Sequence, residues 1–340
     1  MIGRDVLSIL TGDPLSPAIR AYQLGRLAEA RALIEAQGRD AGMTGTVEFY
    51  LRQIARRLSP LPPGRPVVLW REGARAVGNA GWIGDVLRGI AAAECAESEL
   101  AEPSRLIVID HLLSPEKQLW YREAYLAGHD IMLVHAGNDA MDEDCGAYRW
   151  CRHVFRTHWS PLLVGSAQVH FLPRGVPDGF AHPGDAKPAG ARRYLWGFAG
   201  DPDRPTRPAM LAAMASLSLA IRHLTPEQDA LPAGAYRAML DDCVVAPCPS
   251  GAAALDTARV YEALEAGCIP IVERREGFDY FREALGRHPM LTVADWADAP
   301  RLIAELRKSG KLETKRAQCH GWWRHYKGNM AARVTALAMG

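Results

Sequence analysis

No stretch of this 340-residue chain forms a long uncharged apolar run. Its opening, MIGRDVLSILTGDPLS, lacks the apolar core that a signal peptide or a spanning helix needs. A cytoplasmic protein with no integral membrane segment is therefore the expectation. Charge of one sign is also missing: 40 Lys and Arg stand against 39 Asp and Glu, for a formal charge of +1. That balance gives no electrostatic case for a nucleic-acid or membrane partner. The 7 cysteines are an odd number without C-x-x-C spacing, so the pattern favours buried thiols in a reducing compartment over a disulfide framework or a zinc site. A G-x-G-x-x-G dinucleotide fingerprint is absent as well. The loop REGARAVGNAG after Val67–Trp70 is glycine-rich, but too loosely spaced to serve as one. The length suits two domains with two cores.

What is present is one dense stretch from Cys243 to Val272, CVVAPCPSGAAALDTARVYEALEAGCIPIV. Val244, Val245 and Ala246 are the apolar run of a buried parallel strand. Pro247, Pro249, Ser250 and Gly251 break it into a loop. A helix is predicted from Asp256, with Val260, Ala263 and Leu264 at helical spacing and Gly267 as its stop. Ile269 to Val272 is the next strand. Arg259 and Glu262 lie three apart on one helix face, a spacing that also suits a plain local ion pair. Behind a Gly/Ser loop the same pair suits a nucleoside diphosphate. The guanidinium and free backbone N–H groups meet the diphosphate, and the carboxylate accepts from ribose hydroxyls. Both side chains are then expected to face a cleft.

The remaining chain alternates in texture. Residues 1–62 read as a helical extension: Ser16 and Pro17 open a helix pair interrupted at Gly25, and Val47, Tyr50, Leu51, Ile54 and Leu58 mark a third helix. Residues 63–175 and 190–312 alternate strands with helices, which predicts two Rossmann-like α/β units joined by a Gly/Pro-rich linker. Residues 313–340 form a terminal helix. Strands are expected at Leu106–Ile109, Ile131–Val134, Val169–Leu172, Tyr194–Ala199, Ser218–Ile221 and Leu291–Val293, with helices opening at Ser114 and at Thr225–Pro226. The third strand ends in HAGNDAMDED, and acidic residues at the carboxyl end of a parallel strand stand where α/β sheets bind ligands. Asp139 is the candidate general base there, with Asp142, Glu143 and Asp144 as competitors and helix capping as the plainer role. After Ala199 comes GDPDRPTRPAML. Gly200 permits close backbone approach, and Arg207 or Arg204 precedes a helix opened by Pro208. Asp201 and Asp203 form an Asp-x-Asp that could hold a divalent ion, or simply a turn.

The run P-x-G…DTARVYEALEAGCIPIV resembles the donor-binding segment of exostosin-like glycosyltransferases, with Arg259, Glu262, Gly267, Cys268, Ile269 and Pro270 in register. His135, Gly137, Asp139, Val154, Arg156 and Trp159, and then Phe198, Gly200 and Arg207, are weaker echoes. The resemblance implies a GT-B fold of two Rossmann-like domains, with the last helix crossing back onto the first. It also implies transfer of a hexose or pentose from a UDP- or GDP-linked donor to a hydroxyl of a glycan, lipid-linked glycan or small acceptor, without a metal. Arg259, Arg207, Gly200, Ser250, Gly251 and Thr257 would hold the donor, Glu262 its ribose, and Asp139 would act on the acceptor. Asn138 and Asp139 replace the Asp-Glu pair of relatives. A nucleotide-sugar epimerase on the same architecture, or a non-catalytic module using the N-terminal helices, are the competing classes.

Overall fold

The computed structural model describes residues 15–340, apart from 91, 101, 112, 138–144, 161–165, 182–183, 227–228 and 252–253. Three helices come first: α1 (Ser16–Gln23), α2 (Leu27–Ala41) and α3 (Gly45–Leu58). They share a small core of Ala18, Tyr22, Ala30, Ile34, Val47 and Ile54. The carbonyls at the end of α3 are taken up by Arg152, which donates to Arg57 O at 2.7 Å and to Arg56 O at 3.1 Å. The same guanidinium pairs with Asp130 at 2.6 Å, so a helix C-terminus is capped by a cation from the neighbouring sheet.

The first sheet has the order β2-β1-β3-β4-β5-β6, every described pairing parallel. Its strands are β1 (Val67–Trp70), β2 (Ala93–Glu94), β3 (Arg105–Asp110), β4 (Asp130–His135), β5 (His153–Arg156) and β6 (Val169–Phe171). The helices α4 (Ala80–Leu87) and α5 (Pro115–Leu126) connect them. RLIVID and DIMLVH are buried along nearly their whole length, as strands covered on both faces must be. Ser114 caps α5 by accepting from Lys117 N–H, and Pro115 stands at its first turn.

The second sheet runs β11-β10-β9-β7-β8, again parallel. It comprises β7 (Tyr194–Ala199), β8 (Ala220–His223), β9 (Cys243–Pro247), β10 (Ile269–Glu273) and β11 (Leu291–Val293). Between them lie α6 (Arg207–Met214), α7 (Ala233–Asp241), α8 (Ala258–Glu265), α9 (Tyr280–Leu285) and, after β11, α10 (Ala299–Lys308). Arg192 stitches this half together. Its buried guanidinium donates to Leu240 O, Cys243 O and Ala266 O at 3.1, 2.6 and 2.8 Å. Gly267 ends α8 at φ +69, with Gly267 N–H donating to Leu264 O and Cys268 N–H to Ala263 O, the hydrogen-bond pair of a Schellman cap.

Helix α11 (Leu312–Met339) is 28 residues long, enough at 1.5 Å per residue to reach from one sheet to the other. It begins against the second, where Lys315 donates to Pro289 O, and ends on the first, where Arg105 donates to Met339 O at 3.0 Å. Midway, Trp323 is fully buried, 5.7 Å from Trp82 of the first half and 5.6 Å from Tyr261 on α8. Packing therefore accounts for the aromatic residues of KRAQCHGWWRHY. Among the described residues no helix is long and apolar enough to cross a membrane.

Two local expectations are corrected. Strand β8 lies two residues beyond Ser218–Ile221, because Leu219 takes φ +58 and cannot sit inside a strand. Helix α8 starts at Ala258, not Asp256, with Thr257 extended before it. Of the helix expected to open at Thr225–Pro226, residues 227–228 lie outside the described ones, and Asp229 N–H donates to Pro226 O at 3.0 Å. The sequence pattern marks neither β2 nor β5.

Candidate active site

The carboxyl end of β7 brings two arginines onto one glycine. Gly200 takes φ +141, and a Cβ built there would meet Arg259 Nη2 at 2.2 Å and Arg207 Nη1 at 3.5 Å. Only a residue without a side chain lets both guanidiniums lie so close to the backbone. Arg259 comes from the first turn of α8, and Arg207 is the first residue of α6, set there by Thr206 at φ +72. Phe198 supports both from below, its ring 5.0 Å from the Arg259 guanidinium and 5.9 Å from that of Arg207.

Among the described residues these cations lack a counter-ion. The Nε atoms of Arg207 and Arg259 are buried without a hydrogen bond. Among the described residues no acidic side chain forms an ion pair with either. Arg207 does donate from Nη1 to Asp201 O at 2.6 Å. Burial, then the charges of Arg259 and Arg204, bring its pKa down to about 10. Arg204 is 4.0 Å from Asp201 Oδ2, and Asp201 Oδ1 accepts from Asp203 N–H at 3.0 Å in a tight turn. Clustered, half-desolvated cations without a counter-ion are costly, and an anion placed among them relieves the cost.

Glu262 lies one turn along α8 from Arg259. The expectation that it stands open to a cleft is corrected, because the residue is buried. Burial pushes its carboxyl up to about 7, against the opposing pull of Arg259 and Arg174. Arg174, from the segment after β6, and Tyr236, on α7, sense the charge of Glu262. Neither was singled out from the sequence, since no motif surrounds them.

The raised pKa of Glu262 has a sign that can be checked. The folded chain holds this proton more tightly than the unfolded one. The resulting stability is full below the ordinary 4.5 and is lost as pH rises through about 7. Glu262→Gln removes that loss. Its melting temperature relative to wild type is expected to rise between pH 5 and pH 8, by the equivalent of about 1 to 3 kcal/mol. A pH-independent offset in differential scanning calorimetry contradicts it.

The loop after β9 is tied down. Ser250 N–H donates to Glu273 Oε1 at 2.9 Å, and the Ser250 hydroxyl accepts from Arg275 at 2.5 Å. The Ser250 N–H is thus engaged within the protein, while its hydroxyl, which accepts from Arg275, keeps its own proton to donate. Gly251 leaves only 2.8 Å between an added Cβ and Ala254 O, so the turn requires glycine. Thr257 precedes α8 and makes no side-chain cap, which leaves the first N–H groups of that helix without this common partner.

On the first sheet, Asp110, His135 and Arg156 stand side by side in register at the carboxyl edge. Asp110 is paired with Lys117 at 2.6 Å and Tyr121 at 3.1 Å, and His135 Nδ1 is 2.7 Å from the Tyr148 hydroxyl. Gly137 N–H donates to Thr157 Oγ1 at 3.0 Å. Asp139 and its competitors Asp142, Glu143 and Asp144 lie just beyond, outside the described residues.

No protein-family model matches the chain, and no curated protein matches it in sequence. Among solved structures it is similar to Anabaena HepE in complex with UDP and glucose, at 7% identity and TM-score 0.52, over 81% of this chain and 99% of that one. It also aligns with a mutant of the Thermobaculum terrenum O-GlcNAc transferase at 14% identity and TM-score 0.44, over 95% and 81% of the two chains. An α1,3-fucosyltransferase aligns at 9% and 0.46, over 80% and 91%. Of these three the first carries the assignment: the chain has the GT-B fold, two parallel α/β sheets with a helix crossing back.

Proposed function

We propose that this GT-B protein is a glycosyltransferase of exostosin-like kind, moving a hexose or pentose from a nucleoside-diphosphate sugar to an acceptor hydroxyl. The carrying observation is the pair of half-buried arginines that converge on Gly200 without a counter-ion. A diphosphate is the doubly anionic group that suits them. That HepE, of the same fold, was solved with UDP and glucose supports this ligand class.

In this reading the acceptor oxygen attacks the anomeric carbon as the bond to the diphosphate breaks. The acceptor proton passes to Asp139, and the nucleoside diphosphate leaves. Arg259 and Arg207 stabilise the charge that develops on the leaving group, in place of a metal. Glu262, although only 7% exposed, is the carboxylate one turn from Arg259 that a ribose hydroxyl would have to reach, and Gly200, Gly251 and Thr257 let the backbone approach. Ser250 would contribute by holding the loop. The donor is UDP- or GDP-linked, and the acceptor a glycan, lipid-linked glycan or small molecule. Residues 63–175 then form the acceptor-side domain and 190–312 the donor-side domain of a cytoplasmic enzyme.

A thermal-shift series with UDP, GDP and their sugar conjugates, each with magnesium, manganese or chelator, tests the reading. One nucleoside diphosphate and its conjugates should raise the melting temperature by a few degrees near a hundred times Kd, equally in chelator. No shift with any of them contradicts the donor site. A shift only with metal would reassign Asp201 and Asp203 as its ligands.

A further inference from the structure

The first half of the chain enters the second at a buried point. His158, two residues beyond β5, takes φ +61, in the left-handed region. A side chain with a Cβ is uncommon there and persists where its surroundings impose it. Its side chain is 1% exposed, and Nδ1 lies 3.9 Å from Oδ2 of the fully buried Asp256. Asp256 also accepts from the hydroxyls of Tyr261 at 2.8 Å and Tyr280 at 3.3 Å. The Tyr280 hydroxyl in turn accepts from the N–H of Trp159 at 2.8 Å, and the Trp159 ring stacks on Phe278 at 5.7 Å. Burial raises the Asp256 carboxyl above its ordinary range, while His158 and the Tyr261 hydroxyl pull it down. A carboxylate this deep is tolerated only with partners on several sides, and these come from both halves.

Its place in the chain gives the cluster a consequence. Asp256 stands immediately before Thr257 and α8, the helix that bears Arg259, Glu262 and Tyr261. Across the boundary, the Thr157 hydroxyl accepts from Gly137 N–H and donates to Gly137 O, both at 3.0 Å. Gly137 is the last described residue before the loop that carries Asp139. One line of contacts thus runs from α8 through Asp256, His158 and Thr157 to Gly137, just after β4.

We infer that Asp256 is a positioning residue: with Tyr261 and Tyr280 it locks His158 and Trp159 against α8 and sets the donor arginines at a fixed distance from Gly137 and the carboxyl end of β4. The lock stands on geometry alone. Its effect on turnover rests on the glycosyltransferase reading.

Hydrogen exchange followed by mass spectrometry tests the lock without any ligand. In Asp256→Asn, amides of 154–159 and of 257–264 should both exchange about tenfold faster or more, because the two segments open together. Tyr280→Phe, a milder change that removes one hydroxyl, should act in the same direction should the first variant fold poorly. Acceleration confined to 257–264, or none in either variant, overturns the lock. His158→Asn should retain protection on both sides, since asparagine tolerates the left-handed region and keeps a polar side chain beside Asp256, whereas His158→Ala should not. Equal behaviour of the two also overturns it.

UDP, GDP, UDP-glucose and GDP-mannose then separate the two proposals. If wild type binds none of them, the donor reading fails and the exchange result stands. If one binds, hydrolysis of its conjugate should show kcat in Tyr280→Phe reduced about tenfold or more, with KM within about twofold, as expected of misplaced rather than missing groups. Unchanged kcat, or kcat and KM that change only in step with lost melting temperature, overturns the positioning role.

Discussion

Arg259→Ala is expected to weaken nucleoside-diphosphate binding by about 1.5 to 3 kcal/mol, roughly ten- to hundredfold, while leaving the ligand-free protein at least as stable as wild type. The two halves of this result come from one geometry. The Arg259 guanidinium makes no ion pair or hydrogen bond within the described protein, and its Nε is buried. The substitution removes its contact with Phe198, about 0.5 to 1 kcal/mol, and its attraction for the buried Glu262 carboxyl. Against that, the variant relieves repulsion with Arg207, whose own pKa is held down partly by Arg259. A structural arginine behaves otherwise: Arg192, with three buried carbonyl partners, would lower the melting temperature on removal. Arg207→Ala should lose less affinity, because Arg204 stands nearby to substitute in part. Calorimetric titration with melting curves of each variant checks both halves. Unchanged affinity, or lost stability without lost affinity, counts against the site.

Asp139→Asn is expected to reduce turnover about a hundredfold or more, the usual share of a general base, with donor affinity nearly unchanged. The substitution keeps shape and removes the proton acceptor. The reason to place the base here is the end of β4, where Gly137 is pinned by Thr157 at the carboxyl edge of a parallel sheet. Asp142→Asn and Glu143→Gln probe the same loop. Full activity in Asp139→Asn with loss in one of these would move the base along the loop. Absence of turnover in wild type with any donor would favour a binding module.

Most of the sheet strands and the segment around α8 were legible for a common reason: their signals are local. CVVAP and IPIVE are short apolar runs, Val260, Ala263 and Leu264 keep helical spacing, and Gly267 supplies the left-handed cap. The convergence of Arg207 and Arg259 was legible in part, through Gly200 and the proline-opened helix after it. β5 was missed because HVFR mixes polar and apolar residues and follows a turn of Gly146–Trp150. Helical spacing gives Glu262 a face but not what covers it. Arg174, Tyr236 and the contact of His158 with Asp256 join residues far apart in the chain, and nothing local marks them. The loop bonds of Ser250 depend on Glu273 and Arg275, which lie beyond the motif that drew attention to it.

A crystal structure grown with the nucleoside diphosphate that gives the largest thermal shift tests the central claim most directly. The diphosphate should lie over Gly200, with oxygens within about 3 Å of the guanidiniums of both Arg207 and Arg259, the ordinary reach of a charge-assisted hydrogen bond. A nucleotide bound elsewhere, with both guanidiniums still uncontacted above Phe198, would contradict it.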